Sequence, residues 1–199
     1  MRPIEAELFA NAALYREVVQ RRLAQARESV WIATANVKEM FVDTGTGFRS
    51  LLDLFDELRA RRVELRVLHA ELPSRPFRAA FERKGALVRG GLALKICPRV
   101  HFKTVLVDGA WAYLGSANLT GAGLGAKSDG KRNFELGICT EDFEVIDRVS
   151  AMFEAVWSGA ECGACKLRDL CPDPLGPALA SHRGKVVRLG RARRLRVTS

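Results

Sequence analysis

The stretch from His101 to Asn118 concentrates side chains that could do chemistry: His101, Lys103, Asp108, Ser116 and Asn118. It reads His-Phe-Lys-Thr-Val-Leu-Val-Asp-Gly-Ala-Trp-Ala-Tyr-Leu-Gly-Ser-Ala-Asn, which fits two short strands turning at Asp108-Gly109, a pair favoured in tight hairpins. Side chains alternate along a strand, so His101 and Lys103 share one face while Phe102 and Leu106 take the other. A histidine beside a lysine is a poor choice for a core, because neither is buried cheaply without a partner. The pair is well placed to meet an anion. Past the second strand, Gly115 and Ser116 permit close backbone approach, and Asn118 supplies amide donors.

The spacing His-x-Lys-x4-Asp-x6-Gly-Ser-x-Asn resembles the signature of the phospholipase D superfamily at every fixed position. The resemblance runs from the strand expected at Val63–Leu68 to a helix end at Phe153–Trp157. Downstream, Asn133-Phe134-Glu135-Leu136-Gly137 resembles the family's strand that carries an acidic residue orienting the histidine. Cleaving a phosphodiester needs a nucleophile, donors for the equatorial oxygens and an acid for the leaving alkoxide. His101 can attack phosphorus and form a phosphohistidine, which splits one displacement into two. Lys103 and Asn118 can hold the non-bridging oxygens, with Ser116 as an auxiliary, and Glu135 can bond the other imidazole nitrogen and fix its tautomer. The resemblance also implies that Asp108 is chiefly structural and that catalysis needs no metal.

The chain carries one such motif, whereas lipid-acting members of the family usually carry two. His69 has no lysine two residues later, and His182 sits among basic residues, so both read as bystanders. The family's short, one-motif members resemble this chain in length and work as homodimers. By that resemblance the partner's His101 supplies the general acid, and a two-fold dimer is also the commonest oligomer.

A second constellation is Cys162-x2-Cys165-x5-Cys171-Pro172. Thiols at this density in a reducing compartment read as metal ligands. Three ligands need a fourth: Cys97 is the first choice and Cys139 the second. The array resembles the iron–sulfur staple of certain DNA-processing nucleases, which implies a 4Fe–4S cluster, with structural zinc as the alternative. The implied role is to pin the C-terminal segment to the catalytic core.

The elements that must position these groups follow from periodicity. Residues 4–28 read as a helix, Val30–Thr34 as a buried strand, Phe48–Arg61 as a second helix and Val63–Leu68 as an alternating strand. A short helix over Phe77–Lys84 and a strand over Leu92–Cys97 follow. This rhythm predicts an α/β fold: a phospholipase D-like mixed β-sheet flanked by helices, with one catalytic motif per chain. The expected organisation is a catalytic domain at 1–158, a cysteine-rich metal-binding segment at 159–180 and a basic tail at 181–199. Gly121 to Lys131, glycine-rich and polar, reads as a mobile loop beside the site.

The 199 residues carry a net charge of +9, and seven basic residues with no acidic ones lie from Ser181 onward. Without that segment the rest stands at +2. A cationic tail on a nearly neutral body points to a polyanion, DNA before RNA and either before an anionic membrane. Lys38, Arg49, Lys127, Lys131 and Arg132 are candidates to line the cleft, with ordinary surface charge as the alternative. No apolar run reaches the length of a membrane span, and charged residues interrupt the N-terminal stretch, so the expectation is a soluble, cytoplasmic protein without membrane insertion. The leading reading is a metal-independent nuclease. Its rivals are a phospholipase or phosphatidyltransferase, and a nucleic-acid-binding module with little turnover.

Overall fold

The computed structural model describes residues 2–174; His182 and the basic tail lie outside the described residues, as does the end of the expected 159–180 segment. The strands are β1 (Glu7–Ala10), β2 (Ser29–Thr34), β3 (Phe41–Asp43), β4 (Phe48–Ser50) and β5 (Glu64–His69). They continue with β6 (Ala93–Ile96), β7 (Lys103–Val107), β8 (Trp111–Gly115) and β9 (Leu136–Thr140). The helices that matter here are α1 (Asn11–Tyr15), which continues through a widened turn to Arg22, α2 (Leu51–Ala60), α3 (Arg75–Glu82) and α4 (Phe143–Trp157).

Seven strands make one mixed sheet in the order β1-β9-β8-β7-β2-β5-β6. β2, β5 and β6 run parallel, while β7, β8, β9 and β1 alternate in direction outward from β2. The period of two along each strand divides its residues between two faces. Val30, Ile32, Val67, Val105 and Tyr113 point into the main core, where Leu14, Val18, Leu54 and Phe55 of the first two helices cover them. Ala33, Leu68, Leu106 and Ala112 point the other way, onto Phe153 and Ile146 of α4. Phe153 is fully buried and stacks on Trp31 at 5.3 Å, a side chain whose burial stabilises by about 1.5–3 kcal/mol. Arg66 lies over Trp31 and Trp157 and pairs with Glu154 at 2.6 Å, fastening α4 to β5.

Three expectations change. Residues 4–28 are not one helix: Glu7–Ala10 form an edge strand on β9, and the helix starts only at Asn11, whose φ of +51° breaks the chain direction. Phe9 packs on the core while Leu8 is exposed, a period of two that the helical spacing farther on obscured. The second helix starts at Leu51, because Phe48–Ser50 pair with Phe41–Asp43 as a small hairpin and Ser50 caps the helix by accepting the Leu52 N–H. Gly121 to Lys131 is only half a loop: Gly121, Gly123, Leu124 and Gly125 are buried, and exposure begins at Lys127. No helix among the described residues is long and apolar enough to cross a membrane.

Candidate active site

Strand direction decides which residues meet. β7 is antiparallel to both β2 and β8, and β8 is antiparallel to β9. The start of β7, the end of β8, the start of β9 and the end of β2 therefore share one end of the sheet. His101 and Lys103 stand at the first, Ser116 and Asn118 just past the second, Glu135 just before the third and Thr34 at the fourth. Six positions spread over a hundred residues thus become neighbours through register alone.

His101 is exposed, and its ring makes no hydrogen bond to any described residue. Lys103, opposite Gly115 in the sheet, donates from Nζ to the His101 carbonyl at 2.6 Å, bracing the backbone that carries the ring. Asn118 is held by its oxygen: Oδ1 accepts from the Thr34 hydroxyl at 3.0 Å and from the N–H groups of Ala35 and Asn36 at 3.1 and 3.4 Å. Donors on one end of the amide fix which end is oxygen and leave Nδ2 to donate outward. Sequence reasoning missed Thr34, which also accepts the Leu119 N–H at 3.1 Å and so holds both sides of the asparagine. Its only signal was its place at the end of a predicted strand.

Glu135 is buried, and its carboxylate accepts from Ser116 Oγ and from Asn133 Nδ2, the latter at 3.1 Å. Within this chain it binds Ser116 rather than the His101 ring it was expected to orient. The reason is cross-strand register: Gly115 faces Gly137, which puts Ser116 beside the residues entering β9. Asn11 closes the arrangement, accepting the Glu135 N–H on Oδ1 at 3.0 Å and donating its own N–H to the Glu135 carbonyl at 2.8 Å. Tyr113 lies beneath. Its hydroxyl accepts the Ala117 N–H at 2.9 Å, and burial pushes its pKa well above the ordinary tyrosine range. The Tyr113 ring occupies the space where side chains of Gly115 and Gly137 would stand, so both positions exclude a β-carbon.

Asp108 sits at the opposite end of the sheet. Its φ of +55° and that of Gly109, +61°, make the tight hairpin turn. Its carboxylate accepts from the N–H groups of Arg27, Glu28 and Ser29 at 2.8 to 3.1 Å, tying the turn to the start of β2. His69 is buried with Nδ1 bonded to the Glu71 carbonyl at 2.9 Å, and burial lowers its pKa below the ordinary value. Among the other cations, Arg49 pairs with Glu57, and Arg132 donates to the carbonyls of Gly125 and Lys127 and lies over Tyr15. Lys38, Lys127 and Lys131 remain exposed, and the bridge between Val37 and Leu119 sets Lys38 beside the Asn118 segment.

The fold also gathers cysteines. Cys97, Cys162, Cys165 and Cys171 line one cavity of about 180 Å³, on the α4 side of the segment that leads to His101. Cys139 does not line it; it is buried in the main core, where desolvation pushes its thiol up to about 12. Burial raises the Cys171 thiol as well.

Residues 19–157 match the protein family described as cardiolipin synthase, PLD-like domain. Among solved structures, the fold is similar to the phospholipase D family member Nuc from Salmonella typhimurium (16% identity, TM-score 0.52), covering 77% of this chain and 95% of that one. NucT from Helicobacter pylori is similar at 15% identity and TM-score 0.52, covering 76% and 94%. The archaeal chromatin protein TrmBL2, described as showing a novel mode of DNA binding, is similar at 14% identity and TM-score 0.53. That match covers 76% of this chain but spans only about half of TrmBL2, 52%. At these identities the likeness concerns the fold alone. No curated protein matches the chain.

Proposed function

The chain belongs to the PLD-like domain family, and from that membership we propose that it is a nuclease, cleaving DNA before RNA through a phosphohistidine at His101. Membership itself carries the coarser statement, a chemistry centred on phosphodiesters. One observation supports the finer reading most: a solvent-open imidazole, a lysine and an outward-donating amide stand together at one end of the sheet. An imidazole nitrogen of His101 bonds to phosphorus as the bond to the leaving alkoxide breaks. Lys103 and Asn118 Nδ2 hold the non-bridging oxygens as charge builds there. The alkoxide takes its proton from His101 of the partner subunit. Water then attacks phosphorus, returns a proton to that ring and releases the nucleophile.

Two features support a homodimer at this end. The His101 ring has no orienting hydrogen-bond partner among the described residues. Phe134 and Leu136, on either side of Glu135, are 96% and 60% exposed, and Leu8 beside them is 72% exposed, an apolar strip that a second copy would cover. Nucleic acid as substrate is supported by the exposed Lys38, Lys127 and Lys131 and by the arginine-rich tail. The description of the matched family favours a second reading, transfer of phosphatidyl groups.

Labelled single- and double-stranded DNA, RNA and phosphatidylglycerol vesicles, each offered in excess EDTA, separate these readings. Cleavage of DNA that persists in EDTA and falls at least a thousandfold in His101→Ala is the expected result. Turnover of lipid alone would replace the nuclease reading, and salt-sensitive binding without cleavage would replace both with a binding module.

A further inference from the structure

The geometry points to a second inorganic site: Cys97, Cys162, Cys165 and Cys171 hold a 4Fe–4S cluster that fastens the segment after α4 to the connection carrying His101. This does not rest on the nuclease reading. Three of the thiols are close in sequence, but Cys97 lies 65 residues before Cys162, and only the fold brings it to them. Four of the chain's five cysteines share one cavity, and the fifth, Cys139, is elsewhere in the core.

The shape of the site selects the occupant. Four thiolates around one zinc ion converge on a point, each sulfur about 2.3 Å from the metal, with no space enclosed. Here no three thiol, imidazole or carboxyl groups among the described residues converge in that way. The thiols instead stand around a chamber of about 180 Å³, several times the roughly 30 Å³ share of a water molecule. A cube of alternating iron and sulfide, ligated at its four irons by four separate thiolates, is a group of that form. The walls suit it. Val100, Phe102 and Val156 give it apolar walls, while Lys95 and Arg99 bring positive charge beside the thiols to set against Glu161 and Asp173.

The site borders the catalytic end through one short segment. The Cys97 N–H donates to the His69 carbonyl at 2.8 Å and the Cys97 carbonyl accepts from Val100 at 3.0 Å, so the ligand is built into the turn that leads to His101. Phe102, the next residue, lines the chamber. Holding the cluster therefore fixes the backbone on both sides of the histidine.

The test is iron, acid-labile sulfide and zinc content of the full chain purified without oxygen, together with electron paramagnetic resonance after reduction. The expected content is about four irons and four sulfides per chain with a cubane-type signal. Iron falls below a tenth in Cys97→Ser and Cys171→Ser and is unchanged in Cys139→Ser, with circular dichroism checking that each variant folds. Zinc without iron or sulfide overturns the inference. So does a folded chain that takes up no cluster on reconstitution, or full iron retention in Cys97→Ser. If the variants do not fold, the wild-type metal content and resonance decide alone. Stripping the cluster should speed tryptic cleavage after Lys166 and Arg168 about tenfold, and an unchanged rate refutes the fastening role.

Discussion

Replacing Asp108 separates its structural role from a catalytic one. β7 spans five residues between its ends, so at about 3.3 Å per residue Asp108 lies about 17 Å from Lys103. No phosphoryl group held by Lys103 and Asn118 can touch it. What it does touch is backbone: three N–H groups of residues 27–29. Hydrogen bonds to a charged acceptor contribute about 1.5–3 kcal/mol each when protected. Arg27 and Glu28 are exposed, so water replaces much of that, and Asp108→Ala should cost about 2–4 kcal/mol, including the strain of alanine at a φ of +55°. For a chain of this size each kcal/mol lowers Tm by about 2–4 °C, so the expected drop is roughly 4–16 °C. Asp108→Asn keeps the tolerance of positive φ and one acceptor oxygen, and should lose about half as much. Asp108→Gly isolates the lost acceptors. Thermal unfolding followed by circular dichroism reads these values, and turnover at 20 °C should stay within about twofold in all three variants. A variant with native Tm and abolished turnover would refute this reasoning, since it would require Asp108 to reach the reacting phosphate.

Thr34→Val conserves shape but removes one of the three donors to Asn118 Oδ1 and leaves the Leu119 N–H without its acceptor; turnover should fall about tenfold and stability by about 1–3 kcal/mol, read by steady-state kinetics and urea unfolding. Gly137→Ala would drive a β-carbon into the Tyr113 ring and to 2.8 Å from the Leu114 carbonyl oxygen. A loss of about 1–3 kcal/mol is expected from such overpacking, and native stability in urea would show that the ring has room to move. His69 is held neutral by burial, so below its ordinary value near 6.5 the unfolded chain binds a proton that the folded chain refuses. That contribution is complete above pH 6.5 and is lost as pH falls toward the depressed folded value, by up to about 1.4 kcal/mol per pH unit. Urea midpoints at pH 7 and pH 5 should therefore diverge more in the wild type than in His69→Asn, and equal divergence would show that the buried ring titrates normally.

Much of this was legible in the sequence where a local rule sufficed. The Asp108-Gly109 turn announced the hairpin, and the period of two sent Phe102 toward α4 and left His101 and Lys103 on the opposite face, as burial of their neighbours bears out. What escaped depended on partners far along the chain. β1 is a strand only because β9 offers it hydrogen bonds, and nothing near Glu7–Ala10 foretells β9. The Glu135 carboxylate turned to Ser116 because the Gly115–Gly137 register sets them side by side, a fact of pairing rather than of spacing. Thr34 was visible as a strand residue, but its bond to Asn118 spans 84 positions. Sequence named the candidate groups; Thr34 and Asn11, which hold Asn118 and Glu135 in place, were hidden in the topology.

The closure of Glu135 by Asn11 also has a consequence for synthesis. The two residues are 124 positions apart, so at about 5–20 residues per second the ribosome takes roughly 6–25 s to bring the second within reach of the first. Through that interval β1 has no strand to pair with, and the end of the sheet that carries His101 stays open on one side. A chain abandoned partway lacks β9, Glu135 and the contact with Asn11 together. The order of strands thus makes closure of this end of the sheet wait for β9, the last of the described strands to be made.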